Sequence, residues 1–145
     1  MNAKKLTKEM LSNYYGITSL SRTKDGSYMV GRLSYNKAGR PSLNVIYPRE
    51  ITGRPGKGLY VSFSCNSITV QIALNRLVYA WYVGDLSQDD FIAHVNGNMN
   101  DCAVWNLVKV DEAGYKAMAA RTKEEIEKDA EEAARKWKEA YGNNL

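Results

Sequence analysis

The residues best suited to chemistry lie between positions 90 and 115, in the stretch DFIAHVNGNMNDCAVWNLVKVDEAGY. His94 is the only histidine of the chain, and histidine is the residue type whose unperturbed pKa lies near neutral pH. Asn106 follows twelve residues later, where a second hydrophobic segment begins. Two cysteines and one histidine are too few for a structural zinc site, which takes four ligands drawn mostly from these two residue types.

The segments around His94 predict a strand–loop–strand–helix unit, a ββα arrangement. FIAHV has the composition of a short strand, NGNMND of a turn-rich loop and NLVKV of a second strand, while DEAGYKAMAAR begins a helix. We expect Asn96, Asn98 and Asn100 to shape the loop, because asparagine tolerates left-handed backbone and forms Asx turns.

This stretch resembles the HNH endonucleases, the His-Me finger or ββα-metal family, and especially their phage and homing-type members. The matching residues read IAHVNGN from 92 to 98, DCA from 101 to 103 and NL at 106 and 107. The run NRLVYAWYVG, from 75 to 84, matches the helix that precedes this module in the family, although the family has His where this chain has Asn75. The resemblance covers residues 60–115 well and residues 1–59 loosely, and it does not reach the tail from about 120.

The resemblance implies a role for each matching residue. His94 corresponds to the general base that activates water against a phosphodiester, a role that suits an imidazole. Asn106 corresponds to the residue that holds this base or supports the loop. In the family, one divalent metal lies between the protein and the scissile phosphate and stabilises the leaving oxygen.

The chain departs from the family at the metal-binding positions. Ala93 stands where many members have a ligating Asp, and Tyr115 stands where the module helix supplies an Asn or His. A methyl group cannot coordinate a cation, and a phenol is a poor ligand for hard divalent ions. Cys102 also replaces an Asn that ties the loop together. We therefore expect no metal cofactor, or Mg²⁺ or Mn²⁺ if nuclease activity is retained through nearby carboxylates, namely those of Asp89, Asp90, Asp101 and Asp111.

The charge distribution points to an anionic partner for the first part of the chain. Residues 1–85 hold twelve Lys or Arg and four Asp or Glu, a net charge of +8, whereas residues 86–145 hold eight and twelve, a net charge of −4. Basic turns can follow a phosphate backbone, since such contacts need charge more than precise geometry. The residues predicted to bind nucleic acid are Arg32, Lys37, Arg40, Arg49, Arg54, Lys57 and Arg76. The alternative is that these side chains are solvated and protect strand edges from pairing, and that Arg76 extends to the surface.

The remaining patterns predict three regions. Residues 1–59 form an N-terminal helix, over 6–15 with Thr7 as its cap and Gly16 at its end, and a β-rich basic region. Residues 60–120 form the HNH-like module, including a buried helix over 74–84, with the β structure as a whole spanning 17–73. Residues 121–145 form a C-terminal amphipathic helix, for which Thr122 and Glu125 make a capping box.

One face of the C-terminal helix is apolar, and two interpretations of it remain open. The helix either packs on its own domain or binds a partner. The residues predicted for partner binding are Ile126, Ala130, Trp137 and Tyr141.

These observations predict an α+β fold with a ββα-metal core. The leading hypothesis is a catalytically impaired HNH-like protein, phage-encoded, that binds DNA or a nuclease-associated protein as a regulator or inhibitor of a defence system. The alternatives are an active metal-dependent nickase with His94 as general base, and a DNA-binding transcriptional regulator. The absence of an apolar leader or membrane span predicts a cytoplasmic location in the host cell, with Cys65 and Cys102 reduced.

Overall fold

Strands and helices are mixed along the chain in the computed structural model, which describes residues 5–142. Within those residues, eight strands form three small antiparallel sheets, and three α-helices follow or separate them. The α+β class predicted from the sequence is therefore confirmed.

The first helical segment among residues 5–142 covers residues 8–14 and ends in a short π-helical turn, Met10–Tyr14. Thr7 caps this turn as predicted, because its Oγ1 accepts a hydrogen bond from the backbone N of Met10 at 3.0 Å. The prediction that the helix begins at residue 6 was wrong. Leu6 instead exchanges backbone hydrogen bonds of 2.8 and 2.7 Å with Leu86, and both side chains are buried. A pairing partner eighty residues away determines the conformation at this position.

Two antiparallel three-stranded sheets confirm the prediction of β structure over 17–73. The first sheet holds the strands β1, β2 and β3, which are Ile17–Arg22, Tyr28–Tyr35 and Pro41–Ile46. The second holds β4, β5 and β6, which are Arg49–Glu50, Leu59–Cys65 and Ile68–Ala73. Tyr28 and Val30 turn one face of β2 into the core, whereas β3 is exposed along almost its whole length.

Helix α1, Leu74–Tyr82, lies against the second sheet and supplies core residues to both halves of the molecule. Leu77 in this helix, Val30 in β2, Val61 in β5 and Val104 near the module loop belong to one hydrophobic cluster. The strand pairing between β4 and β5 also crosses the predicted boundary at residues 59 and 60. The regions predicted as 1–59 and 60–120 thus share one core.

The predicted strand–loop–strand–helix unit is present. Strand β7, Phe91–His94, pairs with β8, Leu107–Val110, so that His94 lies opposite Leu107. A single 3₁₀ turn, Val104–Asn106, leads into β8. Helix α2, Glu112–Ala119, follows, and Asp111 caps it by accepting a 2.7 Å hydrogen bond from the backbone N of Gly114.

The C-terminal helix α3, Lys123–Tyr141, begins at the capping box that was predicted for Thr122 and Glu125. It packs on its own chain, against the Val104–Asn106 turn, and Trp137 contacts the core cluster. Tyr141 is 56% exposed and its ring lies 4.2 Å from that of Trp137. Of the two interpretations of the apolar face, packing within the domain accounts for Trp137, while partner binding through this face stays a prediction.

Arg121 connects the start of α3 to the ββα unit through three contacts. Its Nη1 contacts the Asp129 carboxylate at 2.7 Å, its Nη2 donates to the Val95 carbonyl at 2.8 Å, and its Nε donates to the Met118 carbonyl at 2.9 Å. Because the guanidinium is largely shielded from solvent, this fork of contacts holds the two elements in a defined arrangement.

Two further predictions concern the state of the cysteines and the absence of a membrane-spanning helix. Cys65 and Cys102 are both buried and free, as predicted. Among residues 5–142, no helix combines the length and the apolar composition that crossing a bilayer requires.

Candidate functional site

His94 ends β7 with both ring nitrogens engaged by the protein. Its Nδ1 lies 2.9 Å from the backbone carbonyl of Asp101, and its Nε2 lies 3.2 Å from the side-chain amide nitrogen of Asn75. The residue is only 8% exposed. The imidazole is therefore a buried bridge between the module loop and α1.

The partners of the ring determine its tautomer. A carbonyl oxygen can only accept, so Nδ1 must carry the proton, and the neutral ring then offers the Nε2 lone pair to the Asn75 N–H. Burial lowers the pKa of His94 below its ordinary value, and the hydrogen bond to the Asp101 carbonyl opposes this shift only in part. The site thus favours a neutral imidazole with no free nitrogen.

Asn106 is the centre of the loop network and is completely buried. Its Nδ2 donates to the Asp101 carbonyl at 2.8 Å and to Asn96 Oδ1 at 2.9 Å, and its Oδ1 accepts from the backbone N of Asn96 at 2.8 Å. The Asp101 carbonyl that Asn106 holds is the same group that accepts from His94. This geometry fits the supporting role that the resemblance implies for Asn106.

The asparagines of the loop form the turns predicted for them. Asn96 Oδ1 accepts from the backbone N of Asn98, and Asn98 Oδ1 accepts from that of Asn100, at 2.9 and 3.0 Å. Gly97 has a φ of 74°, a conformation that glycine adopts without strain. Asn100 Oδ1 also accepts from the Gly58 backbone at 3.1 Å, which ties the module to the basic loop after β4.

A pocket of about 280 Å³ opens beside His94, and Ala93 and Tyr115 line it. The two positions at which the family places metal ligands therefore face one space. The other lining side chains are mainly apolar, such as those of Met99, Met118 and Ile126, and the charged one among them is Arg121, a cation that cannot ligate a metal. Methyl, thioether and phenol groups do not match the oxygen ligands that Mg²⁺ or Mn²⁺ requires, so the residues present do not fit the family's metal.

Three of the four nearby carboxylates accept hydrogen bonds within the protein, and the fourth, that of Asp89, is exposed. Asp101 accepts from the Asn96 side chain at 2.8 Å and from the Ala103 backbone at 3.2 Å, and Asp90 accepts from the Ser87 backbone at 2.8 Å. Asp111 caps α2. Between residues 5 and 142, no cluster of three or more His, Cys, Asp or Glu side chains is arranged to hold a metal ion.

Two residues of the site were missed from the sequence or assigned another role. Asn75 contacts the ring although it lies nineteen residues earlier, and the only signal for it was its place at the position of a family histidine. Cys102 is buried, which raises the pKa of its thiol to about 12 and makes it unreactive. Its backbone carbonyl accepts from the Tyr28 hydroxyl at 2.8 Å, which connects the loop to the first sheet.

The residues predicted to bind nucleic acid fall into two groups. Five are exposed on the turns and the short strand of the basic region, namely Lys37, Arg40, Arg49, Arg54 and Lys57. The other two make contacts within the protein. Arg76 donates from Nη1 to the Asp90 carbonyl at 2.6 Å and from Nη2 to the Ser87 carbonyl at 3.0 Å. The Arg32 guanidinium lies 4.5 Å from the centre of the Phe63 ring.

Comparisons with protein-family profiles, with curated proteins and with solved structures give no match to this chain. The resemblance to the HNH endonucleases therefore rests on the residues and their geometry alone.

Proposed function

We propose that the chain is a catalytically impaired HNH-endonuclease-like protein with a ββα-metal type of fold, phage-encoded, that binds DNA and regulates or inhibits a nuclease-based defence system. One observation carries the proposal. The imidazole that corresponds to the general base is bonded at both nitrogens and borders a pocket lined by Ala93 and Tyr115 rather than by metal ligands.

The loss of catalysis follows from the chemistry of a general base. Such a base needs a free lone pair within hydrogen-bond reach of the attacking water. In this protein the Nε2 lone pair of His94 accepts from Asn75, so water would have to displace a buried amide. Arg121 also lines the pocket, but its guanidinium is paired with the Asp129 carboxylate at 2.7 Å, which reduces the charge available to offset the negative charge that develops on the phosphate in the transition state.

DNA binding is proposed for the basic turns. Residues 28–60 carry six Lys or Arg and one Glu, and five of the six basic side chains are exposed. Exposed positive charge of this density attracts a phosphate backbone and releases its counterions. The HNH-like frame would then serve as a scaffold that presents these turns.

The active nickase is the second candidate, and one observation favours it. The hydrogen bond from Nδ1 to the Asp101 carbonyl leaves Nε2 as the basic nitrogen, which is the orientation that a working base needs. If DNA displaced the Asn75 amide, the base would become available.

Incubation of the purified protein with supercoiled plasmid and Mg²⁺ or Mn²⁺ separates the two candidates. The impaired form predicts no nicking above that of the His94→Ala control. Metal-dependent nicking that disappears in His94→Ala would establish the nickase instead.

A salt titration of duplex binding tests the DNA-binding half of the proposal. Binding led by phosphate contacts weakens steeply as salt rises, with a slope proportional to the number of contacts. Affinity that barely changes with salt, or no binding of the intact protein at low salt, would contradict the proposal.

A further inference from the structure

A second concave surface lies between the first sheet and the second. This cleft, with a volume of about 560 Å³, runs between the inner face of β2–β3 and the hairpin that joins β5 to β6. Its polar lining consists of the Arg32 guanidinium and six hydroxyl or amide side chains, those of Ser34, Tyr35, Asn44, Ser64, Asn66 and Ser67.

Arg32 is fixed in this cleft by two contacts. Its guanidinium lies 4.5 Å from the centre of the Phe63 ring, and its Nε donates to the Tyr15 carbonyl at 2.7 Å. The Nη groups have no hydrogen-bond or ion-pair partner among residues 5–142. Because these contacts already hold the half-buried Arg32 side chain in one orientation, binding a ligand through its Nη groups would cost little further side-chain entropy.

The surroundings of Arg32 match an anionic ligand. None of the lining side chains carries a carboxylate, so the guanidinium keeps its charge uncompensated within the cleft. Asn44 and Ser34 come from adjacent strands, and the Asn44 amide donates to the Ser34 hydroxyl at 3.4 Å. The wall opposite is the two-residue turn at Asn66 and Ser67, with φ values of 51° and 64°, which places further hydroxyl and amide groups at the rim.

We propose that this cleft binds a phosphate group, supplied as a phosphodiester of the DNA backbone, and that Arg32 forms the charge-assisted hydrogen bonds to it. The proposal rests on the DNA binding proposed above and deepens it, because it assigns one specific phosphate contact rather than a diffuse basic surface. Guanidinium matches phosphate geometry, and hydroxyl and amide donors complete the shell. Tyr35 also lines the cleft and is 66% exposed, so its ring is available to stack on a base next to that phosphate.

The test compares two variants that each add one negative charge. Asn44→Asp places a carboxylate in the cleft on an exposed side chain, and Gln88→Glu makes the same change in an exposed loop outside it. Duplex affinity is measured as a function of salt, and unfolding of each variant shows that the fold is retained. We expect Asn44→Asp to weaken binding by about tenfold and to lower the salt slope by about one, with Gln88→Glu close to wild type. Equal affinities and slopes for the two variants would overturn the proposal.

A second arm separates this proposal from DNA binding itself. If the wild-type protein binds no duplex, the proposed function fails, and a titration with inorganic phosphate followed by NMR decides about the cleft. Saturable shifts of the Arg32 and Asn44 side-chain signals in the wild type, with the Arg32 shifts lost in Asn44→Asp, would support a phosphate site supplied by a free phosphate compound. Unshifted signals would overturn it.

Discussion

The pocket beside His94 and the cleft around Arg32 differ in whether their central polar groups have hydrogen-bond partners within the protein. In the first, both ring nitrogens of His94 are bonded within the protein and the Asn106 amide is fully used. In the second, the Nη groups of Arg32 have no partner among residues 5–142. Hydrogen bonds that are satisfied internally stabilise a fold, whereas donors left open are available to a ligand. We therefore expect the region that resembles a catalytic centre to be structural and the β-rich half to supply the binding surface.

The largest expected effect is on stability, from removal of the Asn106 amide. Asn106→Leu leaves the Asn96 backbone N–H without its buried acceptor and removes one of the two donors to the Asp101 carbonyl, the other being His94, which we expect to cost about 3 kcal/mol of unfolding free energy. Denaturant unfolding measures it. Asn98→Ala, which removes one hydrogen bond on an exposed turn, is the control and should cost less than about 1 kcal/mol. Similar values for the two variants would show that the network does not organise the loop.

The next effect concerns the C-terminal helix. Trp137→Ala removes a side chain that packs on the core cluster, and we expect a loss of about 2–3 kcal/mol. Tyr141→Ala, at a 56% exposed position on the same face, should change stability by less than about 1 kcal/mol. Thermal unfolding of the two variants distinguishes packing within the domain from an interface. A large loss from Tyr141→Ala that appears only at high protein concentration would indicate self-association instead.

The third effect is the pH dependence of stability. Because burial lowers the pKa of His94 in the folded protein, the unfolded chain binds the proton more readily. The stabilising contribution of the neutral ring is complete above about pH 6.5, the unfolded value, and is lost as the pH falls through the lower folded pKa. His94→Asn keeps a donor for the Asp101 carbonyl, so its stability should fall less between pH 7.5 and 5. Parallel pH profiles for the two proteins would show that His94 does not cause the dependence.

The smallest effect separates the exposed turns from the cleft. Lys37→Ala and Arg54→Ala each remove one exposed charge, so each should reduce the salt slope of DNA binding by about one with no change in unfolding. Arg32→Ala should reduce both the salt slope and the free energy of unfolding, because Arg32 also contacts Phe63 and the Tyr15 carbonyl. Unfolding curves and salt titrations of the three variants make the comparison, and an unchanged slope for Lys37→Ala would remove that turn from the DNA interface.

Patterns local in sequence predicted most of the fold. Spacing and composition predicted the features that depend on neighbouring residues. These are the caps at Thr7 and Thr122, the strands between 17 and 73, and the hairpin of β7 and β8. The pairing of Leu6 with Leu86 could not, because it joins distant segments.

The candidate site shows the same division. The resemblance located His94, Asn106 and the two substituted positions, and the geometry brings Ala93 and Tyr115 into one pocket. It did not indicate that Asn75 covers Nε2, since that contact depends on how α1 packs against β7. The sequence likewise identified Arg32 as basic but not as stacked and half-buried, because a charge count carries no information on burial.

The most direct test of the central claim is a ¹⁵N NMR titration of the His94 ring, with and without Mg²⁺. Since this is the only histidine in the sequence, its signals in untagged protein are assigned without ambiguity. A structural, neutral imidazole predicts protonation at Nδ1, a pKa below 6.5 and no change on addition of Mg²⁺. A pKa at or above 6.5 that shifts with Mg²⁺ would show that His94 faces an accessible cation site, and would contradict the account.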